Sequence, residues 1–329
     1  MTNDTNNWHN LKNCLSLGLW FDEFRFGRLH LRPNNLIDPL ETPKGKLISI
    51  GGAEDKGTES EGHYTQQSNL NFFELGILKR VVHVMGGVDA HIEVITTASS
   101  IPQEVGENYL TAFGRIGCKN VHVMNIRNRE DAKRLDNLDR IRACDGLMFS
   151  GGDQLRLTTI FGGTAFLDIV QERYHHGLVI AGTSAGAMAM SNTMIYQGKS
   201  DLAHLKGEVK ITTGLAFINN VIIDSHFDKR GRFNRLAQAV ASNPSCTGIG
   251  LGEDTGVIVT NGNHLEVIGS GAVVVVDGKD IHHSNITDVG IGTPISVENL
   301  KVNILVHGNS YLVKERLFVP GVPVSHDEE

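Results

Sequence analysis

Leu178-Val-Ile-Ala-Gly-Thr-Ser-Ala-Gly-Ala187 is the stretch from which the rest of the chain is best read. An apolar run enters Gly182-Thr183-Ser184-Ala185-Gly186 and leaves through the small, helix-favouring residues Ala187–Met190. The pattern predicts a buried strand, a sharp turn and a helix in immediate succession. In a chain with 37 glycines the bare G-x-S-x-G spacing is weak; the strand–turn–helix setting gives it weight. A serine at the apex of such a turn needs strained dihedrals, and small flanking residues remove the clashes that would forbid them. The helix that follows aims its N-terminal amides at any negative charge developing on a bound carbonyl. Ser184 is therefore the candidate nucleophile, ahead of the β-branched Thr183, which sits off the apex.

Outward from this segment, short apolar runs alternate with helical patterns. Strands are expected at Leu47–Ile50, Ile92–Thr96, Val121–Ile126, Gly146–Phe149, Leu178–Ala181 and Val221–Ile223. Their nearly continuous hydrophobicity is that of strands covered on both faces. Helices are expected at Asn69–Val84, Gln103–Gly117, Asp131–Ala143 (with Leu135, Leu138 and Ile141 on the apolar face), Thr164–His175 and Arg230–Ala241. The alternation implies βαβ units, a mainly parallel sheet and a three-layer α/β sandwich. After Thr247 the rhythm changes to strands at Gly256–Thr260, His264–Gly269, Ala272–Val276 and Val302–Val306, separated by Asn261-Gly262 and Asp277-Gly278 turns. These are expected to form an antiparallel edge or cap on the main sheet. Residues 1–45 are read as an N-terminal extension and 46–329 as a single α/β hydrolytic domain.

The 329 residues suffice for a large core without disulfides or metals. A formal charge of −7 and a pI near 6.1 argue against nucleic acid as the main partner. No apolar run reaches the ~18 residues of a membrane span. The polar start, Met1 to Asn10, lacks a signal pattern. Cys14, Cys118, Cys144 and Cys246 are scattered, fitting neither a zinc cage nor a disulfide framework. The adjacent pairs His175–His176 and His282–His283 point in different directions. The expectation is a cytoplasmic protein with free thiols, no membrane contact, no metal and no cofactor.

A nucleophilic serine needs a base, and the base an orienting group. Val221-Ile-Ile-Asp-Ser-His226 places His226 just beyond a buried strand, where a parallel sheet collects its chemistry. His204 lies in a polar stretch with no adjacent strand. Glu253 and Asp254 follow the short apolar run Gly248-Ile-Gly-Leu-Gly252, while Asp224 and Asp228 flank the histidine, and spacing alone leaves these four acids open. The order Ser…His…acid disfavours lipase-type α/β-hydrolases, which run Ser…acid…His. Phe149-Ser-Gly151-Gly152-Asp153-Gln154 follows another strand and has the character of an oxyanion loop, one free N–H pairing with that of Ala185. Arg232 and Arg235 (i, i+3) are at helical spacing and share a face, with Arg230 at the helix start, and three arginines beside the histidine suit a carboxylate-bearing substrate.

Taken together, Ile50-Gly-Gly-Ala-Glu-Asp-Lys56, Ser150-Gly-Gly-Asp-Gln-Leu-Arg-Leu157, Gly182-Thr-Ser-Ala-Gly-Ala187, Asp224-Ser-His-Phe227 with the three arginines, Gly252-Glu-Asp-Thr255 and Asn303-Ile-Leu-Val-His-Gly308 resemble the cyanophycinases. These are members of the serine peptidase family that also holds aspartyl dipeptidases. The resemblance covers roughly residues 46 to 318, with the motifs in order. It implies Ser184 as nucleophile, His226 as base and Glu253 as orienting acid. It also implies an oxyanion hole from Gly152 and Ala185, and substrate contacts from Gln154, Asp224, Arg230, Arg232 and Arg235. The implied fold is that of class I glutamine amidotransferases, assembled as a homodimer. The implied substrate is cyanophycin, a poly-aspartate backbone with arginine on each β-carboxyl, cut to β-Asp-Arg dipeptides; related readings are a dipeptidase for other aspartyl or isoaspartyl peptides and a catalytically silent peptide binder. Ser225 stands where the family pattern has glutamine, and Asp228-Lys229 where it has His-Asn.

Overall fold

In the computed structural model of the chain, residues 42–52 and 76–321 are described. The extension expected at residues 1–45 falls almost wholly outside them, as do residues 53–56 of the Gly-Gly motif and residues 69–75 of the first expected helix.

The parallel part of the molecule follows the alternation of the sequence. β1 (Lys46–Ile50), α1 (Ile77–Val84), β2 (Ile92–Ile95), α2 (Pro102–Ile116) and β3 (Val121–Met124) come first. α3 (Leu135–Ala143), β4 (Gly146–Phe149), α4 (Gln154–Phe161), α5 (Ala165–His176), β5 (Val179–Thr183) and α6 (Ala185–Met188) follow. The five strands lie in the order β1-β5-β4-β2-β3, all parallel. Their continuous hydrophobicity has the expected cause. Ile48, Ile50, Val179 and Ala181 face α1 and α2 in one core. Leu47, Leu147, Phe149 and Ile180 face the helices and strands of the opposite layer. Pro102 opens α2, where its missing N–H costs nothing, and Gly117 closes it at φ 101°.

The helix expected from Asp131 is interrupted. Asp131–Lys133 form a single 3₁₀ turn, Arg134 is extended, and α3 starts at Leu135. Leu138 and Ile141 are buried, but Leu135, at the first position, is 75% exposed. α4, which the sequence reading did not include, is capped by the Asp153 carboxylate accepting from Leu155 N.

Beyond β5 the expectation is corrected. β6 (Thr193–Gln197) and β7 (Lys210–Thr213) form a separate antiparallel ribbon. β8 (Val221–Asp224) does not join the parallel sheet; it pairs with β9 (Thr247–Leu251), next to which lies an antiparallel strand. The remaining elements are α7 (Phe233–Ser242), β10 (Thr255–Thr260), β11 (His264–Gly269) and β12 (Val273–Asp277). The chain then runs through the two-residue strands β13 (His283–Ser284) and β14 (Val297–Glu298) to β15 (Lys301–Leu305), β16 (Ser310–Leu312) and β17 (Leu317–Val319). β10, β11, β16 and β17 extend the main sheet antiparallel from β1, making nine strands. β12 and β15 instead build a second sheet in the order β15-β12-β9-β8. This second sheet shares one core with the main sheet through Val221, Ile223, Ile249, Leu251 and Val275. Its other face is covered by α7 through Ile222, Leu236, Val240 and Val276. The molecule is thus mixed α/β, with an added sheet and helix outside the expected three layers. Among the described residues no helix is long and apolar enough to cross a membrane.

Candidate active site

The site forms where the two sheets meet, and the end of β1 holds its parts together. Three successive carbonyls accept bonds from three different turns. Ile50 O takes Ser184 N (2.9 Å), Gly51 O takes His226 N (2.8 Å) and Gly52 O takes Asp254 N (2.9 Å). Each of these turns has a non-glycine residue at positive φ: 51° at Ser184, 49° at His226 and 46° at Asp254. Such conformations cost roughly 1–3 kcal/mol apiece and persist only where the surroundings over-determine them. The paired carbonyls at and just past the end of β1 supply that constraint.

Ser184 caps α6 with ψ −107°. The glycines on either side are required by close approach. A Cβ at Gly182 would meet the Gly186 backbone at 2.6 Å, and one at Gly186 would meet Phe149 O at 2.5 Å. Ser184 Oγ lies 3.1 Å from His226 Nε2, and His226 Nδ1 lies 3.0 Å from Glu253 Oε1. With the proton on Nδ1 donated to the carboxylate, Nε2 is left as acceptor for the serine hydroxyl. His226 follows β8 and Glu253 follows β9, so the parallel pair of the second sheet presents both side chains to a serine carried by the main sheet.

Gly151 flanks the serine, a Cβ there lying 3.4 Å from Ser184 Cβ. Gly152 (φ 140°) is pressed against Ala98, whose carbonyl oxygen would be 2.2 Å from its Cβ. Among the described residues neither Gly152 N–H nor Ala185 N–H donates to a backbone carbonyl.

The expected substrate contacts are largely committed elsewhere. Asp224 is fully buried. Arg232 Nη1 (3.0 Å) and Arg235 Nε (2.8 Å) donate to it, Arg235 Nη2 makes a further close contact, and Ser225 N donates to Oδ1 (2.8 Å). These three residues form an ion cluster behind the site instead of an open set of contacts. The helix expected from Arg230 begins only at Phe233, with Arg232 as its N-cap, while Arg232 and Arg235 point the same way, onto Asp224. Gln154 Nε2 is likewise occupied, donating to Ile195 O (3.0 Å). Arg230 remains exposed.

One carboxylate between two guanidinium groups leaves the cluster with a surplus positive charge. Burial pulls the Arg232 pKa down to about 10; Asp224 opposes the shift, and the Arg235 and Arg230 charges add to it. Ser225, buried, bridges the cluster and the nucleophile: its Oγ is 3.5 Å from Ser184 Oγ, and its carbonyl accepts Arg232 Nη1 at 2.6 Å. Among the described residues no group of three or more His, Cys, Asp or Glu side chains is placed to hold a metal ion.

Sequence reasoning gave Gly51 and Gly52 no physical role. Gly52, at φ 117°, lies flat against the imidazole: a Cβ there would come within 2.3 Å of His226 Cε1 and 2.5 Å of Nε2. The Gly-Gly pair directly after the first buried strand was the available signal.

Comparison with known proteins agrees with this architecture. A cyanophycinase of Trichormus variabilis is 35% identical over 287 residues, 86% of this chain and 91% of that protein. One from Geminocystis herdmanii is 34% identical over 280 residues, 85% of this chain and 97% of its own length. The crystal structure of a peptidase from an acI-B1 Actinobacterium superposes with a TM-score of 0.57 at 21% identity, covering 83% of this chain and 98% of that one, and so shares the fold. The profile of peptidase family S51 matches residues 60–268, and the chain belongs to that family of serine-type peptidases.

Proposed function

We propose that this peptidase hydrolyses cyanophycin, releasing β-Asp-Arg dipeptides through an acyl-enzyme on Ser184. The observation that carries the reading is the relay Ser184–His226–Glu253, at 3.1 and 3.0 Å. Ser184 Oγ attacks the backbone carbonyl as His226 Nε2 takes its proton, and the carbonyl oxygen becomes an anion facing the N–H groups of Gly152 and Ala185. His226 then delivers the proton to the leaving amine. A water, deprotonated by the same nitrogen, cleaves the ester and restores the serine. Glu253 holds the imidazole in the working tautomer and stabilises it when charged.

The curated relatives named as cyanophycinases, at about a third identity over most of both chains, support the choice of polymer. So does the surplus positive charge behind the serine, which favours a substrate rich in carboxylates. Because Asp224 is enclosed, the substrate's guanidinium groups need another partner. Asp228, exposed and with Oδ1 facing Gly252, is the acid left open two residues past the histidine. The same reading carries the class I glutamine amidotransferase-like arrangement and a homodimer.

Purified protein incubated with cyanophycin granules should release β-Asp-Arg detectable by mass spectrometry. Ser184→Ala should lower turnover by at least about 10³-fold while leaving the melting temperature within a few degrees. Release that persists in the variant would remove Ser184 from the mechanism. A folded wild type that reacts with a fluorophosphonate but leaves granules intact would keep the hydrolase and exclude this polymer.

A further inference from the structure

Two arginines close to the catalytic turn have no carboxylate partner among the described residues. Arg127 follows β3 and Arg156 lies in the first turn of α4. Their guanidinium groups converge on one carbonyl: Arg127 Nη1 donates to Thr97 O and to Thr96 O (both 3.3 Å), and Arg156 Nε donates to the same Thr97 O (3.1 Å). Both side chains belong to half-buried residues, and neither makes an ion pair with a described residue. Asp131, four residues beyond Arg127, accepts at Oδ2 from the backbone N–H groups of Arg127 and Asn128. Asp153 uses Oδ1 to cap α4. Two like charges are therefore held together by a neutral backbone oxygen. Burial and the neighbouring Arg156 charge pull the Arg127 pKa below its ordinary value, as expected where an anion would be welcome.

The position of the pair gives it meaning. In the sheet order β5-β4-β2-β3, the serine follows β5, the Gly151-Gly152 loop follows β4, Thr96-Thr97 follow β2 and Arg127 follows β3. Asp153 N donates to Ala98 O (3.0 Å), and Gly152 packs on that same carbonyl. The arginines thus stand directly across the glycine loop from Ser184. The guanidinium groups meet at Thr97 O, which follows β2, and the two strand spacings of about 4.8 Å between β5 and β2 put that point on the order of 10 Å from the nucleophile, the span of two to three extended residues.

We propose that Arg127 and Arg156 form a carboxylate-binding subsite that anchors the substrate two to three residues from the scissile bond. The inference rests on the acidic-peptide reading of the site. In a backbone of aspartates bearing β-linked arginine, the anion is either the carboxylate of a branch arginine or the α-carboxylate at the chain end. The unfilled donors of a guanidinium pair suit bidentate pairing with either.

The test uses Ser184→Ala protein, so that binding is read without turnover, and a synthetic chain of three aspartates carrying β-linked arginines. Calorimetry compares the free acid with forms amidated either at the chain end or on the branch arginines. One amidation should weaken binding at least tenfold, naming the source of the anion. In the added presence of Arg127→Ala or Arg156→Ala the acid and amide should bind alike. Should an alanine variant fail to fold, Arg127→Lys and Arg156→Lys carry the same comparison, with the acid-over-amide ratio reduced at least threefold. Equal binding of all three forms, failure of all three to bind, or a preference that survives both arginine replacements overturns the subsite. A wild type that leaves granules intact, while the acid preference and its loss are observed, strikes the cyanophycin reading and leaves the subsite standing.

Discussion

Asp224 and Glu253 occupy comparable places and have opposite surroundings. They sit at the C-terminal ends of β8 and β9, parallel neighbours in which Asp224 is in register with Gly250, three residues before Glu253. Asp224 is sealed, its oxygens taken by two guanidinium groups and a backbone N–H. Glu253 keeps 30% of its side chain exposed and spends Oε1 on one imidazole. The first carboxylate is held by two guanidinium groups that stay charged at neutral pH, which ties it to the structure. The second faces one imidazole, and in the proposed mechanism its field is felt each time that histidine is charged. Position on the sheet is shared; the number and kind of cations nearby separates the roles.

Several substitutions test this contrast. Glu253→Gln should lower kcat by roughly 10³–10⁴-fold through loss of tautomer control, with little change in melting temperature, as steady-state kinetics and calorimetry on one preparation would show. Asp224→Asn should act the other way. Leaving two guanidinium groups buried without their counter-ion costs about 3–5 kcal/mol, read by denaturant titration, and activity per folded molecule should fall far less than in the glutamine variant. If Asp224→Asn instead struck kcat with stability intact, the division of roles would fail. Gly52→Ala is the mildest of the set: its methyl group must displace the imidazole, and a misplacement of about 1 Å is worth on the order of 10²-fold in rate with KM nearly unchanged.

Much of the parallel sheet could be read from the chain because four of its strands are buried on both faces and separated by helices, a local pattern, whereas the edge strand β3 was expected to be equally covered and instead leaves His122 exposed. Ser184 was legible for the same reason, its turn lying between a strand and a helix adjacent in sequence. The membership of β8 was not legible. Val221–Ile223 is as apolar as Leu47–Ile50, and nothing local states whether its hydrogen bonds go to β5 or to Thr247–Leu251, which was itself read only as a short apolar run. The same blindness to pairing hid the second sheet behind an expected cap. Arg232 and Arg235 showed their charge in the sequence but not their burial, which depends on Asp224 arriving from another strand. The space that makes Gly52 necessary is filled by a histidine 174 positions away.

The carbonyls of Ile50, Gly51 and Gly52 bear on dynamics as well as geometry. Because consecutive residues of one strand end secure the amides of Ser184, His226 and Asp254, a fluctuation that lifts this tripeptide frees all three turns together. Their amide protons should share one free energy of opening once intrinsic exchange rates are divided out, and hydrogen-exchange measurements resolve whether they do. A chain wired in this way passes between an assembled and a dismantled centre, with no stopping point at which only one of the three turns has come loose.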